Sequence, residues 1–164
     1  MCTLMNSKIT GAVCLDGSAF SYFFRAASTP NGQSKWQVYF QGGGWCYDLP
    51  SCAQRSTTYL GSSTYWEQNY TQMLPTFSGM ISSNPSTNPN FFDWNTVYLP
   101  YCDAGSWAGD VDVPVVYNGT SLYFRGHRML VEVYTQLKVC LSFNVKASLP
   151  SRYLILEYSL TFHS

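Results

Sequence analysis

Alternation of apolar and polar side chains is clearest over Trp36-Gln-Val-Tyr-Phe-Gln41. Trp36, Val38 and Phe40 share one face, and Gln37, Tyr39 and Gln41 the other, the period of two expected of a strand. The run ends in three glycines, Gly42, Gly43 and Gly44, followed by Trp45 and Cys46. Asn95-Thr-Val-Tyr-Leu-Pro-Tyr-Cys102 predicts a second strand, which leads into the small-residue loop Asp103-Ala-Gly-Ser-Trp-Ala-Gly-Asp110. Residues 12–24 predict two short strands joined by a turn at Asp16-Gly17. Residues 122–126 are followed by a change of period. Met129, Leu130, Val133 and Leu137, with Tyr134 at the margin, fall on one face of a helix over about 127–139. A short helix is expected near 64–70, and a further strand over 152–158. Pro30, Asn31-Gly32, Pro85 and Pro89 break the pattern and mark loops over 28–34 and 80–90. Strand, loop and helix in this order suit an α/β layer fold.

Length changes the picture little: 164 residues are enough for one core. Charged residues make up 11% and aromatic residues 17%. The charged share lies far below the usual quarter, and so much aromatic surface excludes disorder by composition. The formal net charge is zero, with Lys and Arg scattered, so no electrostatic footprint for nucleic acid exists. No apolar run reaches the eighteen or so residues that a membrane span requires. Six cysteines accompany two glycosylation sequons, Asn69-Tyr-Thr71 and Asn118-Gly-Thr120. Together they point to an oxidising, secreted or cell-wall setting. Residues 1–10 hold no apolar stretch of the signal-peptide kind. Either such a segment lies outside this sequence or the secretory reading fails.

The candidate chemistry starts at the glycine run. Bare backbone after a strand lets N–H groups approach a ligand closely. Two N–H groups aimed at one point make an oxyanion hole, which holds the negative oxygen of acyl transfer. The alternative is a plain flexible turn. Cys46 and Cys52 bracket Tyr-Asp-Leu-Pro-Ser, a spacing that suits a small disulfide loop and matches neither a zinc knuckle nor a thioredoxin site. Asp103, Asp110 and Asp112 have no EF-hand spacing and read as solvated carboxylates in a turn, so no metal site is expected. No cofactor is expected either.

Several short motifs then combine. Cys-Leu-Asp-Gly-Ser (14–18), Gly-Gly-Gly-Trp-Cys (42–46) with Cys52, and Leu-Gly-Ser-Ser (60–63) are followed by three more. These are Asn-Pro-Asn-Phe-Phe-Asp-Trp-Asn (88–95), Tyr-Cys-Asp-Ala-Gly-Ser-Trp-Ala-Gly-Asp (101–110) and Tyr-Phe-Arg-Gly-His-Arg (123–128). In this order and spacing the chain resembles the pectin acetylesterases, the carbohydrate-esterase family that includes the Wnt deacylase Notum. The resemblance covers about residues 12–139. Residues 1–11 form an N-terminal extension, and 140–164 a divergent or truncated tail. The resemblance implies an α/β-hydrolase fold, here its N-terminal half, and hydrolysis of carboxylic esters. The typical substrate would be an acetylated cell-wall polysaccharide, with other acyl esters in range. It also implies oxyanion donors at Gly43 and Gly44 and disulfides Cys46–Cys52 and Cys14–Cys102. Cys2 and Cys140 find no counterpart.

One departure is serious. The family places its nucleophile in a Gly-x-Ser-x-Gly elbow after the helix, and this chain contains none. Ser159 is nearest by position, but Glu157 and Thr161 flank it, where the strained elbow requires small residues. His127 stands at a position the family does not use for catalysis, and His163 is next to the last residue. A serine without a base is a poor nucleophile at neutral pH. No catalytic residue is therefore assigned in this chain, and the expectation is a truncated, inactive member. The competing expectation is a non-catalytic carbohydrate-binding or decoy module that stacks sugars on Trp45, Tyr47, Trp66 and Trp107. A third is that the half-sheet, ending on what should be a central strand, leaves an unpaired edge and folds poorly alone.

Overall fold

The computed structural model describes residues 2–3, 7–66 and 78–142. The strands are β1 (Cys2–Thr3), β2 (Ser21–Arg25), β3 (Trp36–Phe40), β4 (Asn95–Leu99), β5 (Val115–Tyr117) and β6 (Thr120–Leu122). The helices are α1 (Ser7–Thr10), α2 (Leu49–Ser56) and α3 (Gly126–Ser142). Among the described residues β1 to β4 form one sheet in the order β1-β2-β4-β3. β2 runs antiparallel to both β1 and β4, whereas β3 and β4 are parallel. β5 and β6 make a separate hairpin, whose turn residues Asn118 and Gly119 have φ of 47° and 80°.

β4 is buried at all five positions, as a strand covered on both faces must be. Val97 and Leu99 face α3, where they pack with Phe20, Tyr22, Met129, Val133 and Leu137. Tyr98 faces the other way, onto Phe23, Ile81 and Tyr39. The helical stripe expected of 127–139 is the buried stripe of α3, with Leu130 at its edge and Tyr134 exposed. The motif at 88–95 is structural. Asn95 Nδ2 donates to the carbonyls of Gln33 and Lys35, and its Oδ1 accepts from Ala27 N, which ties the preceding loop to the start of β4. Asn88 Nδ2 caps the carbonyls of Met80 and Ser82.

Some expectations need correction. The first strand of the 12–24 hairpin shrinks to a single bridge, Val13 with Ala19, because the chain turns at once into the disulfide at Cys14. The strand expected over 95–102 ends at Leu99, where Pro100 has no N–H to continue the ladder. The short helix expected near 64–70 is a 3-10 turn over Ser63–Tyr65, started by the Ser62 side chain; residues 67–70 lie outside the described residues. α2 was not expected at all. Its signal is Asp48, whose carboxylate accepts from Ser51 N while the Ser51 hydroxyl accepts from Asp48 N, with Pro50 in the first turn. The strand expected over 152–158 lies outside the described residues.

Two disulfides close this framework: Cys14–Cys102, with a sequence separation of 88, and Cys46–Cys52, with one of 6. Cys14 and Cys102 are fully buried beneath α3, with the Cys102 sulfur 3.9 Å from that of Met129. Loop-closure entropy makes the long cross-link worth about 4–5 kcal/mol and the short one about 2. Replacing Cys14 and Cys102 by Ser is therefore expected to lower the urea midpoint more than replacing Cys46 and Cys52. The reverse order would remove the long bridge as the main clasp.

Candidate active site

β3 and β4 pair in parallel from Trp36↔Asn95 to Phe40↔Leu99, so the chain leaves both strands at the same edge of the sheet. That edge, beyond the carboxyl ends of parallel strands, is where open α/β sheets hold ligands. Gln41 extends the pairing by one step: its N–H donates to Leu99 O, and its side-chain carbonyl accepts from Tyr101 N. Beyond it opens a cleft of about 270 Å³ between the glycine run with Trp45 on one side and Tyr101, Ser106 and Trp107 on the other.

The glycine run is held at three points. A Cβ on Gly43 would lie 2.8 Å from the Tyr101 ring and 3.1 Å from Leu60, so only glycine fits there. Gly44 has φ of +66°, the left-handed region, with open space around it. Arg55, in the last turn of α2, donates through Nη2 to the carbonyls of Gly43 (2.9 Å) and Gly44 (3.3 Å). Its Nε donates to Leu60 O, and its guanidinium lies 5.3 Å from the centroid of the Tyr101 ring. Cys46–Cys52 then fastens the end of the run to α2. Among the described residues no acceptor takes the N–H of Gly43 or Gly44. The carbonyls are anchored and the donors are open.

The opposite wall is a strained loop. Ala104, Ser106 and Trp107 have φ of 56°, 54° and 64°, a conformation that non-glycine residues adopt at a cost of about 1–2 kcal/mol each. Asp103 organises it. Its Oδ2 accepts from the N–H groups of Gly105 (3.2 Å) and Trp107 (2.9 Å). A Cβ on Gly126 would lie 2.2 Å from the same oxygen, so the carboxylate rests on the first residue of α3. This corrects the expectation of a solvated Asp103: the residue is fully buried, and its Oδ1 has no hydrogen-bond partner. Burial pushes its carboxyl above the usual carboxylate range, against the opposing pull of the two N–H groups. Asp110 and Asp112 are exposed as expected, and both pair with Arg128. The Arg128 hydrogen bond holds the Asp110 carboxyl below its usual range. Among the described residues no three His, Cys, Asp or Glu side chains group as metal ligands would.

The four aromatic residues considered for sugar stacking separate. Trp45 is 68% and Tyr47 84% exposed. Trp66 is buried, its indole N–H on Tyr59 O, and Trp107 is wedged edge-on against Phe20 and Phe40. Trp66 leaves the set because the core takes its whole surface, whereas half-buried Trp107 still lines the cleft. His127 is exposed on α3, its N–H on Gly109 O, and borders a different cleft with Arg128 and Glu132. Asn118 is exposed at the tip of the β5–β6 hairpin. Asn69, Ser159 and His163 lie outside the described residues. Sequence reasoning missed Arg55, Tyr101 and Ser106, which reach the cleft only through pairings distant in the chain.

The Pectinacetylesterase family matches residues 1–142. The chain belongs to this family. It is 44% identical over 131 residues to Pectin acetylesterase 5 of Arabidopsis thaliana, which covers 80% of this chain and 29% of that protein. It is 32% identical over 108 residues to an inactive palmitoleoyl-protein carboxylesterase, notum1b of Danio rerio, covering 65% of this chain and 70% of that one. The solved structure of the Wnt deacylase Notum from Drosophila superposes with a TM-score of 0.69 at 27% identity, over 88% of this chain and 39% of that one. This pectinacetylesterase chain thus has an incomplete α/β-hydrolase-like fold and spans about 30% of the length of the plant relatives it matches. No helix among its described residues is long and apolar enough to cross a membrane.

Asp103 gives a pH prediction. A carboxyl whose folded pKa is raised adds stability below its unfolded pKa, near 4, and loses it as pH rises through the folded value. Asp103→Asn keeps an acceptor for Gly105 and Trp107 and removes that loss. Between pH 4 and pH 7 the wild type is expected to lose stability relative to Asp103→Asn, followed by urea unfolding. Asp103→Ala, which orphans two N–H groups, is expected to cost roughly 2–5 kcal/mol at either pH. Parallel pH curves for wild type and Asp103→Asn would show that the carboxylate is not desolvated.

Proposed function

We propose that this chain carries the oxyanion-loop half of a carboxylic-ester hydrolase acting on an acetylated cell-wall polysaccharide, with Gly43 and Gly44 N–H groups as the donors. The observation that carries the reading is the asymmetry of the glycine run: its carbonyls are bound by Arg55, and its N–H groups are free at the carboxyl ends of two parallel strands. Such donors are arranged before the reaction and stabilise the oxygen as charge develops on it. In the intact reaction a serine attacks the acyl carbon, the tetrahedral oxyanion rests on these N–H groups, and water hydrolyses the acyl-enzyme. The sequence holds no Gly-x-Ser-x-Gly, and among the described residues His127 faces another cleft, so the 164-residue chain is proposed to be inactive alone. The disulfides support a secreted or cell-wall location, and Asn69 and Asn118 are its proposed glycan acceptors.

A second reading, a carbohydrate-binding or decoy module, is favoured by the exposure of Trp45 and Tyr47 beside the cleft, where flat rings are open to a sugar face.

The test is hydrolysis of p-nitrophenyl acetate. The 164-residue chain is expected to show no turnover above background. A chimera that continues into the following part of a plant pectin acetylesterase is expected to turn over. Gly43→Ala in it, whose Cβ would meet the Tyr101 ring and push the run aside, is expected to lower kcat toward the roughly 10²–10³ loss of a displaced oxyanion donor. Turnover by the 164-residue chain that Ser159→Ala abolishes would overturn the inactive reading. Saturable binding of acetylated pectin, lost in Trp45→Ala, with a silent chimera would favour the binding module.

A further inference from the structure

We propose that Arg55 is a positioning residue: it fixes the direction of the oxyanion-loop N–H groups by holding the opposite ends of their peptides. The inference rests on the ester-hydrolase reading of the same cleft. A trans peptide is a rigid plane whose C=O and N–H point in opposite directions. Anchoring Gly43 O therefore aims the Gly44 N–H, and anchoring Gly44 O aims the Trp45 N–H. One guanidinium nitrogen holds both, at 2.9 and 3.3 Å.

The need for such a clamp follows from the chain itself. Three consecutive glycines have no side chains to lock them, and Gly44 sits in open space. Left alone, these peptides would rotate, and a rotated peptide presents a carbonyl where a donor is required. Arg55 is itself braced. Its Nε is bound to Leu60 O, its plane rests near Tyr101, and its helix is joined to the run through Cys46–Cys52. The planar fork suits this task, since it serves Leu60 and the glycine carbonyls together; a lysine ammonium would serve only one direction. A charged donor on a carbonyl also polarises the peptide and strengthens its N–H as a donor. Arg55 touches neither a substrate nor a reacting atom in this arrangement, so its effect passes through Gly44 and Trp45. The Gly43 N–H belongs to the preceding peptide, whose carbonyl is on Gly42 and is not held by Arg55, so its order serves as an internal control.

The experiment is amide NMR on the 15N-labelled 164-residue chain as wild type, Arg55→Lys and Arg55→Met, with sodium acetate as the oxyanion probe. In wild type the Gly44 and Trp45 amides are expected to be ordered on the picosecond–nanosecond scale, and the Gly43 and Gly44 amides to shift on acetate addition. In Arg55→Met the Gly44 and Trp45 amides are expected to lose order, and acetate to bind about tenfold more weakly, as fits loss of a charge-assisted hydrogen bond. The order of Gly43 and of the β4 amides Val97 and Leu99 should be little changed, which also reports that the fold is intact. Arg55→Lys should keep the fold and recover only part of the order. If Arg55→Met does not fold, the comparison of wild type with Arg55→Lys decides. Unchanged order at Gly44 and Trp45 in the folded variants would overturn the positioning role. Lost order in the variants, with no acetate response even in wild type, would uphold the clamp and sink the oxyanion reading instead.

Discussion

The parallel pairing of β3 with β4 is the constraint on which the rest of the structure depends. Parallel strands that are far apart in sequence must be brought side by side by tertiary packing, since no tight turn can join them. Once Trp36–Phe40 lies in register with Asn95–Leu99, residues 42–45 and 101–107 necessarily emerge together. Everything that forms the cleft follows from that. Tyr101 underlies Gly43, Trp107 packs on Phe40, and Gln41 binds Tyr101 across the gap. The pairing is secured from outside the sheet. Asn95 gathers the loop before β3 onto the start of β4, and the buried Cys14–Cys102 bridge clasps its end.

The two walls of the cleft solve opposite problems. The glycine run is too free, and is restrained from its carbonyl side by an arginine, a disulfide and an aromatic ring. The 103–107 loop is too strained, with three non-glycine residues in the left-handed region, and is held by one buried carboxylate at the head of α3. In both, a backbone that has no regular ladder is fixed by a charged side chain bonded to it. This is how an irregular segment acquires a defined geometry at the edge of a regular sheet: the charge-assisted bonds replace the missing ladder. The placement of Asp103 carries a desolvation cost that a surface carboxylate would not, a cost accepted where it shapes a site.

β3 is the terminal strand of the sheet among the described residues, and its outer edge presents unpaired backbone groups. In an α/β-hydrolase sheet further parallel strands continue in this way. That agrees with a chain spanning about 30% of its plant relatives, and with a cleft bounded here on two sides and open elsewhere.

Much was legible in the sequence. Period-two alternation located β3 and β4, and the 3.6-residue stripe located α3, because burial of one face imposes those periods on any chain. The glycine run was legible as bare backbone that ends β3, and the fold places it along the cleft. The Cys46–Cys52 loop was legible for the same local reason, and α2 could have been read from Asp48, Pro50 and Ser51. What only the tertiary structure decided was the company each residue keeps. Asp103 reads as one more polar residue in a polar loop, and becomes a buried keystone only when Gly126 closes over it. Trp66 looks like Trp45 on paper, and differs because the core encloses it, while Trp107 is half-buried between the core and the cleft. Arg55 reads as an unremarked cation, and gains its place because a helix and a strand end meet there. Local sequence sets period and turn chemistry; desolvation and long-range contact depend on residues tens of positions away, and only the folded chain brings those together.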